Sequence, residues 1–140
     1  MSRLSNLVSF ARSVSIVVAL SFCLFDNAAA TQNESPLEPG KAIERSINAG
    51  EAHYYILPLT AGQYAHIAVD QRGVDVVVSI FAPDGTKLVQ VDMPNGNYGL
   101  EPAALVADTT GAYRVEVHST SPKLPGRYEL KLDQLHAATD

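Results

Sequence analysis

Four histidines, one serine–threonine run and scattered carboxylates are the residues of this chain with chemistry to offer. His53, His66, His118 and His136 show neither HxH nor HxxxH spacing, so no pair is preset to hold a metal or share a proton. Alternation of apolar and polar residues puts the first three on outward strand faces, and His136 falls in the tail. Ser119-Thr120-Ser121 lacks the Gly-x-Ser-x-Gly setting that lifts a nucleophile onto a sharp turn. No catalytic constellation emerges, and the expectation is a protein that is not an enzyme.

Carboxylates near turns raise calcium instead. A hard cation needs several oxygen ligands in one place. Asp70 and Asp75 flank Gln71-Arg72-Gly73, while Asp92, Asn95 and Glu101 surround a Pro-Asn-Gly loop. Asp70, Asp75 and Asp92 are the candidate calcium ligands. No Asp-x-Asp-x-Asp run is present, and the plainer use of such residues is favoured: Asp and Asn cap turns by accepting from nearby backbone N–H groups.

Aromatic contact is the third chemistry. The chain has six tyrosines and no tryptophan, which weakens a sugar-stacking reading. Tyr54, Tyr55, Tyr64, Tyr113 and Tyr128 fall in strand-like runs, where the ring packs and the hydroxyl seeks a partner. Tyr98 alone falls in a loop, Asn95-Gly96-Asn97-Tyr98-Gly99. The candidate binding surface is therefore Arg72, Asn95, Asn97, Tyr98 and Glu101.

The elements that must carry these residues are strands. Turn signals recur every eight to twelve residues, with β-rich runs over 42–47, 52–59, 64–70, 75–81, 87–92, 103–107, 113–119 and 127–132. Tyr113, Val115 and Val117 oppose Arg114, Glu116 and His118. Tyr128, Leu130 and Leu132 oppose Glu129, Lys131 and Asp133, and Ala65, Ile67 and Val69 form a third inward set. Val76, Val77, Val78, Ile80 and Phe81 leave neither face polar, which predicts a central strand covered on both sides. Helical spacing arises only over 133–139. The expected fold is an all-β, antiparallel, eight-stranded sandwich of jelly-roll type over 41–135, with a polar linker at 31–40 and a tail at 136–140.

Residues 1–30 read as an export signal. Arg3 and Arg12 precede an uncharged apolar run from 14 to 25, and Ala28-Ala29-Ala30 offers a small-residue cleavage site. That run is shorter than the roughly 20 residues a bilayer span needs. Cleavage after Ala30 would remove Cys23, the single cysteine, and with it disulfide, thiol and Cys–zinc chemistry. It would also leave a chain more acidic than the −5 of the whole sequence. Such a charge lacks the basic field that holds a phosphate backbone, so nucleic acid is excluded as a partner. Secretion or a periplasmic location follows, with no membrane span after cleavage.

The order of motifs resembles the bacterial pre-peptidase C-terminal β-sandwich family. The residues that carry the likeness are Gly-Glu-Ala-His-Tyr-Tyr (50–55), Thr-Ala-Gly-Gln-Tyr (60–64), Gln-Arg-Gly-Val-Asp-Val-Val-Val (71–78) and Pro-Asp-Gly (83–85). Thr-Gly-Ala-Tyr-Arg-Val-Glu-Val (110–117) and Pro-Gly-Arg-Tyr-Glu-Leu (125–130) complete it. In particular the chain is similar to the form found after the signal peptide of exported tetratricopeptide-repeat and CHAT-peptidase proteins. The resemblance implies a non-catalytic accessory module, with a protein or polysaccharide of the cell envelope or matrix as partner and calcium bound by some members. The expected working surface is 95–101, with the Gln71-Arg72-Gly73 turn beside it. The rival expectations are a small protease or hydrolase inhibitor inserting 93–101, and a structural spacer truncated from a longer repeat or CHAT protein.

Overall fold

The computed structural model describes residues 34–138, so the export signal expected at 1–30 lies outside the described residues. Nine strands and no helix are found there: β1 (Ser35–Pro36), β2 (Ala42–Ile47), β3 (Ala52–Leu59), β4 (Gln63–Arg72), β5 (Val76–Phe81), β6 (Lys87–Val91), β7 (Tyr98–Val106), β8 (Gly111–Ser119) and β9 (Gly126–Ala137). One sheet runs β1-β3-β8-β5-β6 and the other β2-β9-β4-β7. Setting β1 aside, the sheets are 3-8-5-6 and 2-9-4-7, all antiparallel. Two Greek keys wound this way make a jelly roll, as expected.

The inward sets predicted from alternation meet between the sheets. Leu57, Tyr113, Val115 and Ile80 face Ile67, Val69, Leu130 and Leu132 in one buried core. Tyr113 also closes the β7–β8 connection, because its hydroxyl donates to the Thr109 carbonyl at 2.9 Å. A tyrosine folded back on its own entry turn fixes the corner of a sandwich. β5 lies between β8 and β6 with both faces covered, as its sequence, apolar but for Ser79, predicts. Its outer cover is made of side chains, with the Arg114 guanidinium 4.7 Å over the Phe81 ring and 5.2 Å over Tyr54.

Three boundaries differ from expectation, each for a physical reason. The linker at 31–40 is partly structural: Ser35–Pro36 pairs in parallel with Tyr55 and Ile56, and Leu37 enters the core. The tail, read from 133–139 as helix-like, is strand through Ala137. A bulge at His66/Ile67 places Leu132 opposite Ile67 but Leu135 opposite Ala65. The extra residue turns two-residue alternation into a three-residue spacing that imitates a helix. The sixth expected strand starts at Tyr98 rather than 103. Gly99 and Pro102 disguise it, and a proline is tolerated because β7 is an edge strand paired only with β4.

Candidate functional site

Strand direction gathers four connections at one end of the sandwich: 48–51, 73–75, 92–97 and 120–125. Two hydrogen-bond networks hold the first three.

The first centres on Gln71 and Glu101, both fully buried at the end of the core. Gln71 Nε2 donates to Glu101 Oε1 at 3.1 Å and to Asn95 Oδ1 at 2.7 Å. Gln71 Oε1 accepts from the Val76 N–H at 2.6 Å, and Glu101 Oε2 from the Met93 N–H at 2.8 Å. Two side chains on paired strands thereby tie loop 93–97 to β4, β5 and β7. Asn95 Nδ2 reaches the Leu100 carbonyl, and the Gly73 N–H reaches the Asn97 carbonyl. Buried polar groups with every partner in place make a connection rigid, because each broken bond strands a group away from water.

The second network locks the β2–β3 turn. The Tyr55 and Tyr128 hydroxyls are hydrogen-bonded in the core, and Tyr128 also meets His53 Nδ1 at 2.8 Å. His53 Nε2 lies 3.1 Å from Glu51, whose other oxygen accepts from the Asn48 N–H and side-chain amide. With the His53 proton on Nε2, each hydroxyl and N–H in the chain has an acceptor. His53 thus faces inward beside Val117, which corrects its expected outward placement. Strand alternation places it there, and the tyrosine hydroxyls supply the partner that makes a polar ring tolerable at the core's edge. Burial raises the Tyr128 phenol well above the ordinary value, as does its bond with Tyr55. Burial raises Tyr55 likewise, against opposing contributions from Tyr128 and Arg45. The Asn48 N–H, aided by His53, holds the Glu51 carboxyl below its ordinary 4.5.

Between these latches opens a groove of about 430 Å³ lined by Asp75, Asn97, Thr120, Ser121, Pro122, Lys123 and Leu124. Asp75 accepts from the Thr120 hydroxyl at 3.0 Å, and the Ser121 hydroxyl accepts from the Asp75 N–H. Leu124 is 68% exposed and Tyr98, at the foot of β7, is 69% exposed. The surface is an apolar and hydroxyl-lined groove on a preset frame, suited to complementary contact with a partner. Close packing beneath it needs glycine at 126, where an added Cβ would stand 2.5 Å from the Val74 Cβ.

The residues expected on the binding surface divide sharply. Asn97 lines the groove and Tyr98 is exposed beside it, in a strand rather than a loop. Asn95 is committed to bracing the loop. Glu101 is the correction: its side chain is fully buried, since alternation along β7 turns position 101 inward. Arg72 lies on the outer face of its sheet, paired with Glu44, Asp70 at 3.1 Å and Glu129 at 2.9 Å. Of the calcium candidates, Asp70 is bound to Arg72 on that face, Asp75 bonds Thr120 at the groove, and Asp92 is exposed after β6. Among the described residues no group of three or more His, Cys, Asp or Glu is arranged to hold a metal ion. The segment 122–125 was not singled out from sequence, although an exposed leucine between prolines in a polar loop is the trace it left.

No family model and no curated protein matches the sequence. Solved structures do match the fold. The pre-peptidase C-terminal domain of a collagenase from Bacillus anthracis is similar with a TM-score of 0.60 at 18% identity, over 73% of this chain and 96% of that domain. A periplasmic inhibitor of g-type lysozyme from Aeromonas hydrophila has a TM-score of 0.55 at 14% identity, over 69% of this chain and 91% of its own. The corresponding Salmonella Typhimurium inhibitor has a TM-score of 0.54 at 14% identity, over 74% and 98%.

Proposed function

We propose that this β-sandwich, of the pre-peptidase C-terminal kind, is an exported non-catalytic binding module that works through the loop end around the 120–125 groove. The observation that carries the reading is the pinning of loop 93–97 by a buried network, and of the 48–51 turn by a part-buried one, beside an exposed and largely apolar groove. A preset surface loses little conformational entropy when a partner arrives. Export rests on the sequence of residues 1–30, and the periplasmic and collagenase neighbours agree with it. The partner class is a protein or polysaccharide of the envelope or matrix. The test is to pass solubilised envelope proteins and polysaccharides over the immobilised chain. Retention of a defined component supports the reading, and retention of none opposes it.

The lysozyme inhibitors among the fold neighbours support a second reading, in which the loop end inserts into the cleft of a hydrolase. Titrating the chain into assays of lysozymes and secreted proteases separates the two. An inhibitor abolishes turnover at stoichiometric ratio, whereas a plain binding module leaves it unchanged.

A further inference from the structure

On the outer face of the β2-β9-β4-β7 sheet, Arg72, Arg127 and Lys131 are all ion-paired. The outer face of the other sheet differs. Pairing sets Lys87, Phe81 and Arg114 in one row across β6, β5 and β8. The Phe81 ring centre lies 4.7 Å from the Arg114 guanidinium and 5.6 Å from the Lys87 ammonium. Among the described residues no carboxylate comes within ion-pair distance of either cation. Stacking uses the flat face of a guanidinium and leaves its in-plane N–H donors uncommitted. The Arg114 Nε is out of solvent with no acceptor, so the charge is held in place and uncompensated. Lys87 Nζ donates to Gln90 Oε1 at 2.8 Å and keeps two further N–H donors. Glu116 stands in the next row, opposite Tyr54 and Ser79, and no described residue donates to its carboxylate.

We propose that this row binds an acidic polysaccharide, a chain of uronic acid units whose carboxylates meet Arg114 and Lys87. Two cations on one ring suit charges that repeat along a polymer better than one small ion. The open Glu116 carboxylate decides between polymers. It repels a run of acidic side chains, whereas sugar hydroxyls donate to it, and a uronate unit carries both groups on one ring. The guanidinium is already immobilised by Phe81 and by Tyr54, 5.2 Å away, so little side-chain entropy is lost when a carboxylate arrives. The net charge of −5 does not forbid the approach of an anion. Charges more than about 8 Å away are largely screened at physiological salt, and the local pair dominates. The site lies on the sheet face rather than in the loop-end groove, and neither depends on the other.

Isothermal titration calorimetry of the purified chain with trigalacturonate, its methyl ester and hexaglutamate tests this. Trigalacturonate alone should bind, with an affinity that falls as salt rises. Lys87→Gln removes one charge at an exposed position and should weaken binding about tenfold with an unchanged melting temperature. Arg114→Lys keeps the charge but loses the planar fork and should weaken it by a similar factor. Glu116→Ala should also weaken it, through loss of the hydroxyl acceptor. Leu124→Glu, in the groove, should bind trigalacturonate as the wild type does, so a failure here leaves the loop-end reading standing. The proposal is overturned if trigalacturonate does not bind, or if the methyl ester or hexaglutamate binds equally well. Wild-type affinity in both Lys87→Gln and Arg114→Lys overturns it too. So does unchanged or tighter binding by Glu116→Ala, the sign of bare charge attraction.

Discussion

Gln71 donates to Glu101 at 3.1 Å between neighbouring strands, where both side chains are fully buried. The pair is the root of the loop end. Replacing Glu101 with leucine leaves the Met93 N–H and one Gln71 donor without acceptors inside the sandwich. Removing one partner of such a buried hydrogen-bond network costs about 3 kcal/mol. A fall in melting temperature on the order of 10–20 °C is expected for a domain this size. Hydrogen exchange should show loop 93–97 opening first. Glu101→Gln keeps one carbonyl acceptor and should lose about half as much, as read from urea midpoints.

Tyr128→Phe removes the hydroxyl that joins Tyr55 to His53. Two polar groups lose their shared partner, for a loss of about 1–3 kcal/mol. Differential scanning calorimetry of the single variant checks it. Tyr55→Phe should be milder, since Tyr128 can still donate to His53.

Alkali should reach those two tyrosines late. Their folded values are raised, so their stabilising contribution is complete below the ordinary value of 10.0 and is lost as pH climbs above it toward the folded values. Absorbance titration of phenolate should therefore show Tyr55 and Tyr128 ionising only together with unfolding. Identification comes from the Tyr128→Phe and Tyr55→Phe spectra. A reversible early titration of either in the folded state would contradict the buried hydroxyl pair.

Acid should act through Glu51. Its folded value is depressed, chiefly by the Asn48 N–H, so its contribution is complete above the ordinary 4.5 and disappears as pH falls through the lower folded value. The stability gap between the wild type and Glu51→Gln should stay constant above about pH 5 and shrink below 4.5. Urea titrations across that range give the gap directly.

Much of this architecture was legible in the sequence because strand alternation and turn residues are local. β2 and β3 fall on their expected residues, and the inward faces of β4, β8 and β9 follow from period two. What was hidden depended on pairing. The β9 bulge opposite His66 gives Leu132 and Leu135 a false helical spacing. Pro102 hides an edge strand that only a one-sided neighbour can tolerate. The site was half legible: 93–97 and the 71–75 turn do converge, and Asn97 lines the groove. Glu101 and Asn95 read as contact residues because carboxylates and amides near a loop look exposed, whereas their work is to brace it. The β8–β9 loop carries the groove's apolar wall, yet little in Pro122-Lys123-Leu124-Pro125 announces a surface until β5 and β7 are placed beside it.

The most direct test of the binding account compares one chemical change at opposite ends of the sandwich. Leu124→Glu puts a charge in the groove at the loop end, and Leu88→Glu puts one on the exposed start of β6 at the other. Binding of the retained envelope component to each immobilised variant is measured by surface plasmon resonance. The account predicts at least a tenfold loss for Leu124→Glu, equivalent to about 1.4 kcal/mol, and no change for Leu88→Glu. Full binding by Leu124→Glu with loss in Leu88→Glu would place the working surface at the wrong end and contradict it.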